Sequence, residues 1–285
     1  MDAMVIEKIE VLVQQTLETH RLPGIALGVV QGGELAWFGG FGRGDLDENE
    51  TPHSHSLARV ASVTKTFTTT AILQLRDAGK LNLDDPLIQH LPEFGAVKVV
   101  AGSLADVTLR RLLTHYSGLS TEAPLPGWDA LNFPTREAIL EALDQTEIVI
   151  DQDSDWKYSN LAFGLLGEVI QRVSRQAYED YIKDHILDPL GMTATVFDLE
   201  DANRDHLLTG YDPSPYQDRP NKAPYAHLNG LAAAGQLFSS VSDLAKWVLF
   251  QFCEDGGMRA GAQVLSGRSL REMHRPQYMS PDWSS

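Results

Sequence analysis

Ala61-Ser62-Val63-Thr64-Lys65-Thr66-Phe67-Thr68-Thr69-Thr70-Ala71-Ile72-Leu73-Gln74-Leu75-Arg76-Asp77-Ala78-Gly79 joins a Ser-x-x-Lys pair to an apolar run that closes on glycine. The pattern predicts one long helix over 61–78, with Gly79 at the position after the helix that favours a left-handed residue. A spacing of three places Lys65 on the same face as Ser62, one turn on. Two effects then favour a nucleophilic Ser62. The free N–H groups and positive dipole end of a helix N-terminus stabilise developing negative charge. A lysine packed inside a protein loses part of its preference for the charged form and exchanges protons more readily. The competing reading is an ordinary serine N-cap followed by a lysine whose stem packs and whose head reaches solvent.

Ser-x-x-Lys by itself says little, because about one match arises by chance in a chain of this length. A second match, Ser154/Lys157, falls in the acidic stretch Asp151-Gln152-Asp153-Ser154-Asp155, where a helix is disfavoured, and is read as accidental. Tyr158-Ser159-Asn160 separates the two. It is the one Tyr-x-Asn in the chain and directly precedes a helix predicted to start at Leu161. Ammonium groups beside a phenol favour its phenolate, which can accept a proton from a serine and return it to a leaving group. An asparagine amide offers a donor and an acceptor, suited to orienting Lys65 and a substrate carbonyl. Taken singly, Tyr158 also reads as a buried tyrosine and Asn160 as a helix N-cap.

Composition narrows the classes. The chain has 285 residues, is 43% hydrophobic and carries a formal net charge of -16. It is long enough to bury a sizeable core. Its acidity argues against nucleic-acid binding, which needs clustered Lys and Arg. The acidic runs Asp45–Glu50 and Asp151–Asp155 read as solvated loops rather than metal sites. Cys253 is the only cysteine, so no intrachain disulfide forms, and its apolar surroundings Trp247–Phe252 predict a buried thiol. The nine histidines are scattered along the chain, and no metal or cofactor is predicted. Residues 1–20 carry acids at amphipathic spacing, unlike a secretory signal, and no stretch is long enough to span a bilayer. The expected location is cytoplasmic, or periplasmic or secreted where a signal has been removed.

Val5, Ile6, Ile9, Val11, Leu12, Val13 and Leu17 predict an opening amphipathic helix, broken at Pro23-Gly24. Ile25–Val30, the turn Gln31-Gly32-Gly33 and Glu34–Phe41 predict a β-hairpin. Helices are predicted at 109–113, 135–143, 161–173 and 177–186, then a long surface loop over 209–224. The last clear helix runs from Ser240 to Phe252, with Ser240 and Asp243 resembling a capping box. A two-stranded hairpin is marginal alone, and no strand pattern follows Ser240, Gln263-Val264-Leu265 being too short. The remaining strands are therefore expected beyond Ser285 or from a second polypeptide.

In these motifs the chain resembles the serine β-lactamase and penicillin-binding-protein superfamily, in its class C β-lactamase, DD-peptidase and esterase branch. Ser-x-x-Lys is the superfamily's first motif, and Tyr-x-Asn is the second motif of that branch. Leu57-Ala58-Arg59-Val60-Ala61 before Ser62, Leu112-Leu113-Thr114-His115-Tyr116-Ser117-Gly118-Leu119, Pro189-Leu190-Gly191-Met192 and Ala233-Ala234-Gly235-Gln236-Leu237-Phe238-Ser239-Ser240 extend the likeness over most of the chain. The family's third motif, Lys-Thr-Gly or His-x-Gly, does not occur.

The resemblance implies an α/β, β-lactamase-like two-lobed fold, an antiparallel sheet flanked by helices plus a helical lobe, with C-terminal strands missing. Residues 1–65 and 191–285 would form the α/β lobe of a single incomplete domain, and 66–190 the helical lobe. It implies acyl transfer. Ser62 attacks an ester, amide or β-lactam carbonyl, Lys65 and Tyr158 move protons, and Asn160 binds the substrate. The Ser62 N–H and a second N–H from the third-motif strand form the oxyanion hole. The block holding His115 is structural in the family. The alternatives are a non-catalytic binding protein on the same scaffold and a DD-peptidase acting on cell-wall peptides.

Overall fold

Helix α1 (Ala3–His20) starts where the Asp2 side chain accepts the Met4 N–H and stops at Arg21, whose φ of 52° is left-handed. Val13 and Leu17 are buried and Ile6 and Ile9 partly so, whereas Val5, Val11 and Leu12 stay exposed. The inward stripe is thus narrower than the apolar spacing suggests. This computed structural model describes residues 1–200, 206–214, 219–252 and 264–278. Cys253, Gln263 and the segment after Tyr278 lie outside the described residues.

Strands β1 (Gly24–Gln31) and β2 (Glu34–Gly42) form the predicted antiparallel hairpin. Gly32 and Gly33 turn the chain at φ 65° and 92°, the left-handed pair that matches strand twist in a two-residue hairpin loop. Among the described residues this sheet has two strands. A second short ladder matters more for function. Strand β3 (Ala58–Arg59) pairs antiparallel with Phe238 and Ser239, fastening the approach to Ser62 against the segment after Ala234. Leu57 forms a bridge to Leu207 on the neighbouring segment.

The predicted 61–78 helix is corrected at its start. Ala61–Val63 is a 3-10 turn, and helix α2 proper runs Thr64–Asp77. Ala61 sits at φ 44°, a left-handed conformation unusual for a residue with a Cβ. That kink keeps Ser62 out of the regular helix. Beyond it the apolar face follows the sequence: Phe67, Ala71, Ile72, Leu73 and Leu75 are buried. They pack in one core with Leu161, Leu165, Leu166, Val169 and Ile170 of helix α3 (Asn160–Ser174). Phe67 stacks on Trp247 with ring centroids 3.8 Å apart, which joins α2 to helix α4 (Val241–Gln251).

Three other expectations are sharpened. Ser240 does cap α4 by accepting the Asp243 N–H, but Asp243 does not reach back to complete a capping box. Its buried carboxylate instead accepts from the Ala194 N–H, the Thr195 hydroxyl and Lys246. The 209–224 segment holds a two-residue ladder, Tyr211–Asp212 with Asn221–Lys222, anchored on Asp45 by Thr209, Tyr211 and Lys222. A further helix, α5 (Gly267–His274), follows the one read as last. Its polar composition, with only Leu270 and Met273 as large apolar residues, hid it. Among the described residues no helix is long and apolar enough to cross a membrane.

Candidate active site

The residues that sequence reading singled out meet at one point, although Ser62 and Tyr158 are 96 residues apart. Ser62 Oγ lies 2.7 Å from Tyr158 Oη. Lys65 Nζ donates to Ser62 Oγ at 3.1 Å, to Asn160 Oδ1 at 2.8 Å and to the Ala234 carbonyl at 2.7 Å. Three acceptors thus match the three N–H groups of an ammonium. Lys65 is buried, and its charge also lies 4.8 Å from the Tyr158 ring centroid. Burial pushes its pKa below the ordinary lysine range, while Tyr158 and the Glu122 carboxylate pull the other way. Ser154 and Lys157 play no part. The Ser154 hydroxyl donates to the Asp151 carbonyl, and Lys157 Nζ reaches Thr121 Oγ1 at 3.4 Å.

The Tyr158-Ser159-Asn160 motif divides its tasks. Ser159, not Asn160, is the N-cap of α3: its Oγ accepts the Ala162 N–H and donates to the Ser120 carbonyl. Asn160, the first residue of the helix, is left free to turn its amide to Lys65. Its orientation is set from the other side, where Asn160 Nδ2 donates to Glu122 Oε1 at 2.6 Å. Trp128 Nε1 donates to the same oxygen, and Glu122 Oε2 is buried with no hydrogen-bond partner. Glu122 escaped sequence reading because it follows the Ser117-Gly118-Leu119 block with no motif of its own. Gly118 holds that turn. Its φ is 72°, and a Cβ there would lie 1.9 Å from the Ile150 carbonyl oxygen.

His115, read as structural, packs directly on Tyr158 with ring centroids 4.4 Å apart. Its Nδ1 accepts the Ser159 N–H at 3.1 Å. Burial, then the charge of Lys65, pushes its pKa down to about 4, so the ring is neutral at pH 7. Ser62 opens into a cavity of about 690 Å³, which Arg59, Trp128, Asn160 and Tyr225 also line. Arg59 donates to the Ala226 carbonyl and to Gln236 Oε1 and stacks over Phe238.

The histidines are less scattered in space than along the chain. His53 Nε2 lies 3.1 Å from His206 Nδ1, with Glu50 nearby. Tertiary structure made this cluster, and part of the Asp45–Glu50 run read as a solvated loop belongs to it.

A serine exposed at the head of the central helix, between a buried lysine and a tyrosine, is the arrangement of the serine-hydrolase class. The chain belongs to the Beta-lactamase family, whose model matches residues 9–285. It is similar to Beta-lactamase-like protein 2 of Dictyostelium discoideum, 29% identical over 278 residues, covering 95% of this chain and 48% of that protein. It is also similar to Protein flp of Staphylococcus aureus, 28% identical over 254 residues, covering 86% of this chain and 48% of that protein. Among solved structures, the octameric penicillin-binding protein homologue from Pyrococcus abyssi superposes with a TM-score of 0.81 at 26% identity, covering 97% of this chain and 61% of that one. The chain spans about half the length of the curated relatives it matches.

Proposed function

We propose that this chain acts as a serine hydrolase that works through an acyl-enzyme on an ester, amide or β-lactam carbonyl. The observation that carries the reading is the shared environment of Ser62 Oγ, 2.7 Å from Tyr158 Oη and 3.1 Å from Lys65 Nζ. Because Lys65 donates to Ser62, the Ser62 hydroxyl is free to donate to Tyr158. With Tyr158 as its phenolate beside the Lys65 ammonium, that proton passes to the phenolate oxygen as Oγ bonds to the carbonyl carbon, whose π electron pair moves onto the carbonyl oxygen. The Lys65 charge steadies the developing alkoxide, and burial makes this ammonium a readier proton donor than a free lysine.

Tyr158 then returns the proton to the departing oxygen or nitrogen, and water releases the acyl group by the reverse route. Asn160, held by Lys65 on one side and Glu122 on the other, positions the substrate. The Ser62 N–H, next to a helix start, is the oxyanion donor this chain supplies.

A fluorophosphonate probe tests the nucleophile. Ser62 becomes labelled and Ser62→Ala does not, while that variant loses on the order of 10³-fold or more in short-chain nitrophenyl ester hydrolysis. Full hydrolysis by folded Ser62→Ala would sink the mechanism. An unlabelled, folded wild type would instead favour a binding role. Comparing the nitrophenyl ester with a chromogenic cephalosporin ranks the substrates.

A further inference from the structure

Next to the cavity wall, on the segments that carry Pro52 and residues 207–209, lies a second set of donors that hydrolysis does not use. One ligand atom each from Glu50, His53 and His206 lies within 4.8 Å of the others. His53 Nε2 and His206 Nδ1 are 3.1 Å apart, and Glu50 Oε1 is 3.9 Å from His53 Nε2. Two imidazoles on a tetrahedral ion, with metal–nitrogen bonds of about 2.0–2.1 Å, hold their nitrogens about 3.3 Å apart. The histidine pair already has nearly that spacing. The Glu50 side chain is 56% exposed and closes its gap by rotation in solvent. We propose that Glu50, His53 and His206 bind a divalent transition-metal ion of the zinc type, with a fourth position left to water.

The backbone prepares the pair. The His53 N–H donates to Ser56 Oγ, the Ser56 N–H returns to the His53 carbonyl, and the His206 carbonyl accepts the Leu57 N–H at 2.7 Å. The two rings meet edge to face with centroids 4.6 Å apart. His53 Nδ1 accepts the His55 N–H at 3.1 Å, so the neutral His53 ring carries its proton on Nε2 and shares it with His206 Nδ1. His206 Nδ1 therefore already presents a lone pair to the site. On ion capture the His53 proton passes from Nε2 to Nδ1, and the exposed His55 N–H exchanges its acceptor for water. Both rings stay neutral, the state in which imidazole ligates metals.

The ion would tie residues 50–56 to residues 206–209. Pro52, Leu207, Leu208 and Thr209 on these two segments line the same cavity as Ser62. Occupancy braces the cavity wall without touching the nucleophile.

Titration of the metal-free chain, carrying no histidine tag, with Co²⁺ and then Zn²⁺ tests this by visible absorption and calorimetry. The expected result is saturable uptake of a single Co²⁺ with tetrahedral absorption, displaced by Zn²⁺. His53→Ala and His206→Ala each weaken binding by more than about tenfold, as loss of a ligand should. Glu50→Gln weakens it less, and the remote His20→Ala and His274→Ala leave it unchanged. Zn²⁺ also raises the thermal midpoint of the wild type and not of His206→Ala. Circular dichroism checks that each variant is folded, and His206→Gln replaces His206→Ala if the latter is not. Absence of saturable uptake by the wild type, or wild-type affinity in folded His53→Ala and His206→Gln, overturns the proposal.

Discussion

Glu122 shows how a site depends on a residue that no motif announces. Asn160 can face Lys65 with its oxygen because Glu122 takes its N–H, and a carboxylate accepts only from that end of the amide. Removing it frees the amide to flip and leaves Lys65 facing a donor. A hydrogen bond to a charged group contributes about 1.5–3 kcal/mol. Glu122→Ala is therefore expected to lower the ester-hydrolysis rate by about 10- to 100-fold, with Ser62 still labelled by a fluorophosphonate, more slowly. Glu122→Gln keeps an acceptor and should recover much of the rate. Equal rates for wild type and Glu122→Ala would remove Glu122 from the site. The Lys65 contact to the Ala234 carbonyl was equally out of reach of sequence reading, since a backbone acceptor leaves no signature in residue type.

Helices that carry a stripe of apolar residues and a cap were the most legible parts of the chain. α2, α3 and α4 all follow their apolar spacing, and Ser159 and Ser240 cap as hydroxyl side chains do. Legibility failed where backbone geometry or long-range partners intervene. The left-handed Ala61 converts the first turn of a predicted helix into the turn that presents Ser62. Asp243 leaves its own helix end to satisfy the 194–195 turn. Asp243→Ala strands the half-buried Ala194 N–H, leaves the buried Thr195 hydroxyl with its Ser239 partner alone, and should cost about 1–3 kcal/mol. Thermal or urea unfolding reads that loss, while the ester-hydrolysis rate of the folded fraction at 25 °C stays near wild type. An unfolding midpoint equal to wild type would show that water replaces the carboxylate there.

The packing of His115 against Tyr158 links the stability of the entire fold to pH. In the unfolded chain an imidazole takes a proton near its ordinary value of 6.5, whereas in the fold His115 does so only at about 4. Between these values the unfolded chain binds more protons, so stability falls as pH drops through that window. Above pH 6.5 this contribution is fully present, and below about 4 it is lost. His115→Asn keeps an acceptor for the Ser159 N–H, suits the left-handed φ of 63° and cannot titrate. Urea midpoints measured across pH 6.5 to 4 should therefore fall less in His115→Asn than in wild type. Parallel curves would mean that His115 takes up its proton equally in the folded and unfolded chain.

Residue type and short-range spacing alone were enough to name the apolar helices α2, α3 and α4, though not the polar α5, together with the hairpin, Ser62 with Lys65, and the unique Tyr158-Ser159-Asn160, because these are set by periodicity and capping within a few residues. Tertiary structure decided which of them touch. It brought Tyr158 to Ser62, inserted Glu122 behind Asn160, laid His115 on Tyr158 and paired His53 with His206 across 153 positions. Such contacts follow from how buried faces pack against one another, and local spacing carries no information about that.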